Sequence, residues 1–152
     1  MKLMSNYFFA MGKEREISII HRKISEILSN SDDEISISHQ FGDYWVLVVE
    51  RRPEHIMTSI QTDTSDDEAP RYFFKGWFQD HNSESIVIGP LGYERWKDSH
   101  AVSNSVDFEG TYVHAKWTGQ KLTIENDLFS YFPVMFFSTS DVIVASDSMY
   151  VL

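Results

Sequence analysis

Among side chains able to do chemistry, this chain has six histidines (His21, His39, His55, His81, His100 and His114), a large excess of carboxylates and no cysteine. The missing cysteine removes the disulfide framework, the thiolate zinc site and the thiol nucleophile together. A histidine metal site calls for two histidines one helical turn apart or a tight grouping with carboxylates, and no pair has that spacing. Asp63, Asp66, Asp67 and Glu68 could gather around a hard cation. The stretch from Ser59 to Pro70 lacks any apolar period, however, and is expected to be a solvated loop. Ser99, His100 and Asp107 hold the residue types of a nucleophilic triad, but no nucleophile elbow accompanies them. His114 shares one face of an alternating segment with Tyr112 and Lys116, so a half-buried, hydrogen-bonded histidine is expected there. No metal and no cofactor is expected in this chain.

These residues must be held by elements that the apolar spacing outlines. Asn6 to Met11 is a nearly continuous apolar run closed by Gly12, which predicts a strand buried on both faces. From Glu14, Ile17, Ile20, Ile24, Ile27 and Leu28 recur at three and four residues, the period of an amphipathic helix ended by Ser29 to Asp33. Ile35 to Ser38 alternates, and after the Gly42-Asp43 turn Tyr44 to Val49 is rich in β-branched and aromatic residues, which predicts a hairpin. Tyr72 to Phe78 and Ser85 to Ile88 read as strands separated by a polar turn at Gln79 to Ser83, the second stopped by Gly89-Pro90-Leu91-Gly92. A brief helix over Tyr93 to Ser103 would pack Trp96 inward. Thr111–Trp117, a Thr118-Gly119 turn, Leu122–Glu125, a loop through Pro133, Val134–Phe137 and Val142–Ala145 predict four strands forming one antiparallel sheet.

The 152 residues suit one domain spanning 1–152, and 42% hydrophobic with 14% aromatic content excludes wholesale disorder. A formal charge of -10 repels phosphate backbones and anionic lipid, so neither nucleic acid nor a membrane is an expected partner. No apolar run approaches the roughly 18 residues of a spanning helix, and the N-terminus lacks a basic flank before an apolar segment. A cytoplasmic protein is expected. The aromatics at 72–78 and 131–137 exceed what one inner face needs, so they either lie under helices or form an exposed docking surface.

Phe108-Glu109-Gly110-Thr111-Tyr112, Ala115-Lys116-Trp117, Glu125 to Val134 and Ala145-Ser146-Asp147 occur in an order that resembles the closing half of a class II glutamine amidotransferase domain. This is the N-terminal nucleophile (Ntn) hydrolase domain at the front of asparagine synthetases. That family has Gly-x-Phe-Ala-Phe-Ala-x-Trp, then Arg-Asp-x-x-Gly-x-x-Pro-Leu-Tyr-Tyr, then Ser-Glu. This chain offers Gly110, Tyr112, Ala115 and Trp117, then Asp127, Ser130 in the glycine place, Pro133, Val134 and Phe136, and finally Ser146 and Asp147. The resemblance implies an α+β fold: an Ntn-hydrolase-like sandwich of two antiparallel sheets flanked by helices. Asp127 can cap a tight turn through its carboxylate, and Pro133 fixes φ where the next strand begins; both are structural roles.

At the catalytic positions the resemblance implies loss. Family glutaminases use an amino-terminal cysteine whose own amine is the base, whereas Lys2 follows Met1 here and the nucleophile place falls near Ser5. Lys75-Gly76-Trp77 occupies the place of the family's Asn-Gly-Glu, whose Asn side chain and Gly amide stabilise the oxyanion, so Lys75 stands for Asn. Arg51 and Arg52 are candidate remnants of the arginine that holds the α-carboxylate of glutamine. Losing a nucleophile alone lowers rates by factors of about a million, so no glutaminase activity is expected. Degenerate domains in β-lactam and carbapenam synthetases and in lasso-peptide cyclases resemble this one. By that resemblance the chain scaffolds an ATP-dependent amide-forming ligase. Its expected partner is a synthetase domain or subunit, with a homo-oligomer also compatible. ATP and Mg belong to that synthetase part, since no Ser-Gly-Gly-x-Asp-Ser loop occurs here. Leu152 falls near where such front domains close. Two other readings are a serine amidohydrolase activated by exposing Ser5 and a small acidic protein-interaction module, which a single open barrel would favour over the two-sheet sandwich.

Overall fold

Strand β1 (Tyr7–Gly12) is buried at all six positions, as its continuous apolar run requires. The structure, a computed structural model, describes residues 7–28, 34–51, 60–62, 70–99, 108–118 and 121–148. Hairpin β2 (Glu34–Phe41) and β3 (Tyr44–Arg51) flank β1 on one side, and β10 (Val142–Ser146) followed by β9 (Met135–Ser138) on the other, giving the order β2-β3-β1-β10-β9. A second sheet runs β4 (Ile60–Thr62), β5 (Pro70–Asp80), β7 (Phe108–Thr118), β8 (Lys121–Asn126), with β6 (Ser85–Ile88) also paired to β5. All pairings are antiparallel.

Alternation along β1 assigns its two faces. Tyr7, Phe9 and Met11 enter the core between the sheets with Val46 and Val48, opposite Phe73, Val113, Ala115 and Trp117 of the second sheet. Phe9 meets Phe73 and Trp117 edge-on, at 5.0 and 5.6 Å between ring centroids, a favourable aromatic arrangement. Phe8 and Ala10 face outward beneath helix α1 (Glu14–Leu28), whose Ile17 and Ile24 close a second core. Glu14 and Glu16 in its first turn suit the positive end of the helix dipole. Ile27, on the predicted apolar stripe, stays exposed. On the far side, Tyr72, Phe74, Phe78, Val87 and Tyr112 lie beneath Tyr93 and Trp96 of helix α2 (Gly89–Ser99). The fold is therefore α+β, two antiparallel sheets stacked face to face with one helix covering each outer face; it is not the single open barrel.

Three expectations need correction. The last four strands do not make one sheet: β7 and β8 stay with β5, whereas β9 and β10 join β1, with residues 127–134 crossing between the sheets. Burying Ala145 and Ser146 against β1 decides that partner, and strand period alone carries no such information. Gly89-Pro90 starts a helix as well as stopping β6: Gly89 turns with φ of 63°, and Pro90 follows at the first turn, where a missing N–H costs nothing. The helix therefore begins earlier than Tyr93. Within the expected loop from Ser59 to Pro70, Ile60–Thr62 is a short strand paired to β5. Asp63, Asp66, Asp67 and Glu68 lie outside the described residues, as does the Gly119 turn.

Candidate functional site

Residues far apart in sequence meet where β1 begins. Ser146, fully buried at the end of β10, donates its hydroxyl to the carbonyl of Tyr7 at 2.9 Å and accepts the N–H of Ser148 at 3.2 Å. The Tyr7 N–H donates to Asp147 Oδ1 at 3.4 Å. From the opposite direction, the Tyr7 phenol donates to the Pro133 carbonyl at 2.7 Å, tying β1 to the crossing segment. Burial pushes the Tyr7 phenol well above its ordinary value, and the carboxylates of Asp147 and Asp127 push it further.

Asp127 organises the crossing segment. Its N–H donates to the Tyr112 carbonyl at 3.0 Å, which fixes it to β7, and its own carbonyl accepts the Ser130 N–H at 2.9 Å. Oδ1 accepts the N–H groups of Phe129 and Tyr131 at 3.1 and 3.2 Å, an aspartate-capped turn. Ser130 adopts φ of 52°, the left-handed region where glycine is at ease. Asn126 adds hydrogen bonds to Ser130 Oγ at 3.0 Å and to the Phe132 carbonyl at 3.3 Å. Asp127 is 4% exposed, and its second oxygen, Oδ2, is buried without a hydrogen-bond partner.

Gly76 reaches the same region from β5. It pairs with Tyr112 and has φ of 108°, and a Cβ there would lie 2.1 Å from the Thr111 carbonyl oxygen and 3.0 Å from the Phe132 ring. Gly76, Asp127, Pro133, Ser146 and Asp147 are thus linked through Tyr7, Tyr112 and Phe132 at one end of the sandwich. Lys75 is adjacent to Gly76 on the same strand and is half-buried. Ser5, Arg52, His55, His100, Asp107 and the side chains of Arg51 and Ser99 lie outside the described residues. Among the described residues, this end holds carboxylates, carbonyls, the Ser130 and Ser146 hydroxyls and a phenol kept protonated by burial, groups tied into hydrogen bonds that hold the chain together.

A second polar group lies under α2. His114 Nε2 is 3.0 Å from the Tyr93 hydroxyl, and Nδ1 is 3.9 Å from Glu125 Oε2. The contact with His114 holds the Glu125 carboxyl below its usual range despite partial burial, and burial raises Tyr93. His114 is accordingly a half-buried, hydrogen-bonded residue. Trp96 packs inward and donates Nε1–H to Asp80 Oδ2 at 2.9 Å. Neither Tyr7 nor Tyr93 was marked by spacing, because a phenol inside an apolar run reads as core until its hydroxyl partner is known.

Among the described residues no group of three or more His, Asp or Glu side chains could hold a metal ion, and no described helix is long and apolar enough to cross a membrane. The aromatic surplus divides: Tyr72, Phe74 and Phe78 lie under α2, whereas Phe129, Tyr131, Phe136 and Phe137 stand exposed. No known protein family, curated protein or solved structure matches the chain.

Proposed function

We propose that this chain is a degenerate glutamine amidotransferase-like domain of the Ntn-hydrolase type that supports an ATP-dependent, amide-forming ligase without releasing ammonia itself. The observation that carries the reading is the meeting of the closing residues with the start of β1. Of the residues that form the family-like pattern, Pro133, Ser146 and Asp147 bond to Tyr7, and Asp127 caps the turn that leads to Pro133. Ser130 stands where the family has glycine, and its φ of 52° is a conformation glycine favours. Two stacked antiparallel sheets with a helix outside each agree with the layer order that the resemblance implies.

In such a domain the amino-terminal thiol, with its own amine as base, carries the chemistry, and the sandwich is its support. Here the support is retained: the hydrogen bonds fix β1 from both sides, and the cluster contains no thiol. The ligand of the ligase, with ATP and Mg, would be bound by the synthetase part. The test uses the synthetase encoded in the same frame or beside it, assayed for ATP-dependent amide formation with this domain present and deleted. The reading expects an amine or free ammonia to serve as nitrogen donor and L-glutamine to fail. Amide formation driven by glutamine, or the absence of any such synthetase at the locus, would overturn it.

A further inference from the structure

Among the described residues, strand β9 is an open edge of the first sheet, and it lacks the devices by which edges usually avoid pairing. Met135-Phe136-Phe137-Ser138 contains no charge and no proline, and no charged residue occurs anywhere from Leu128 to Ser140. The opposite edge, β2, carries Glu34, and the β8 edge of the second sheet carries Lys121 and Glu125. Phe136 is 75% and Phe137 53% exposed, on opposite faces of the edge, and Phe129 and Tyr131 of the preceding crossing segment are 77% and 70% exposed.

The ladder fixes which backbone groups are available. Thr139 N–H bonds to the Val142 carbonyl at 2.8 Å, and Phe137 pairs with Val144 two residues further along. Because bonded and non-bonded pairs alternate in an antiparallel ladder, Phe136 and Ser138 turn their N–H and C=O groups to the open edge. We propose that two copies of this chain pair β9 against β9, antiparallel, joining their first sheets into one continuous sheet. A two-fold axis normal to the sheet keeps each face continuous and must pass beside a residue paired with itself. Centring it on Phe136 opposes Phe136 with its own copy as a hydrogen-bonded pair and sets Met135 against Phe137.

Two arguments select a second copy as the occupant. The exposed side chains of Leu128, Phe129, Tyr131, Phe136, Phe137 and Ile143 offer roughly 800 Å² per copy, what each side of a standard interface contributes. Each copy also carries a formal charge of -10, so two copies can approach closely only through a surface without like charges, and 128–140 is uncharged. The pairing does not rest on the ligase reading.

The experiment is sedimentation equilibrium of the purified chain at about 50 μM in 0.15 M salt, with single-cysteine cross-linking. The expected result is a mass twice 17.7 kDa, with the dimer weakened at least 100-fold by Phe136→Lys and unchanged by Ile88→Lys on the β6 edge. The chain has no cysteine of its own, so Phe136→Cys should give an oxidised dimer, since a hydrogen-bonded pair places its Cα atoms about 5.5 Å apart. Ile88→Cys should give none. A monomer at this concentration, or a dimer untouched by Phe136→Lys and lost with Ile88→Lys, overturns the proposal; Phe136 is exposed enough for its variants to fold.

Discussion

Removing the Asp127 carboxylate should unfasten the segment that crosses between the sheets. In Asp127→Ala the N–H groups of Phe129 and Tyr131 lose the acceptor they share at 3.1 and 3.2 Å. Bonds to a charged acceptor are worth about 1.5 kcal/mol or more each, which sets a gross loss of roughly 3 kcal/mol. Against this, the substitution relieves the burial of Oδ2, which has no hydrogen-bond partner, so the net loss should be about 2 kcal/mol. For a chain of this size that is a fall of roughly 4–8 °C in Tm. Asp127→Asn keeps an acceptor where Oδ1 stands and replaces a buried charge by a neutral amide, so it should lose about 1 kcal/mol or less. Urea unfolding of the two variants beside wild type, with equal m-values, reads the difference directly. A loss below about 0.5 kcal/mol in Asp127→Ala would refute the reasoning, as would an Asn variant equal to the Ala variant, which would show that charge rather than acceptor position matters.

Gly76→Ala should destabilise by roughly 3 kcal/mol or more, from the positive φ together with the collision at the Thr111 carbonyl; Gly42→Ala, in open space at φ of 59°, should lose only about 1–2 kcal/mol in the same denaturation assay. Burial raises the Asp80 carboxyl, but hydrogen bonds from Ser83, Trp96 and the backbone of Asn82 and Ser83 outweigh it and leave the group below its ordinary value. A depressed folded-state value means that this stabilisation is complete above the ordinary carboxylate range and is lost as pH falls through the lower folded value. Asp80→Asn should therefore flatten the acid limb of stability measured by urea unfolding from pH 6 to pH 2, and an unchanged acid limb would contradict the role of Asp80.

How far the sequence disclosed this molecule depended on whether the signal was local. The run from Tyr7 to Met11, the three-and-four spacing from Ile17 to Ile27 and the hairpin around Gly42-Asp43 each follow from side-chain period, and each is present. The membership of β9 and β10 in the first sheet was not legible, because alternation tells which residues share a face but not which strand lies beside them. Pro90 signalled an interruption and also opens α2, since the same fixed φ serves a stop and a first helical turn. At the candidate site, Asp127 and Ser130 came to notice through the resemblance, and both have a local geometric duty, Asp127 as cap of its turn and Ser130 at a positive φ. The Tyr7 phenol did not come to notice, since its partner Pro133 lies more than a hundred residues away.

The central claim, that a hydrolase-type support persists here without its reagent, is tested most directly by incubating the purified chain, its Met1 or Lys2 terminus verified by intact mass, with L-glutamine and measuring ammonia. The account predicts no release above a heat-denatured control. Turnover to glutamate and ammonia, abolished by Ser5→Ala, would contradict it.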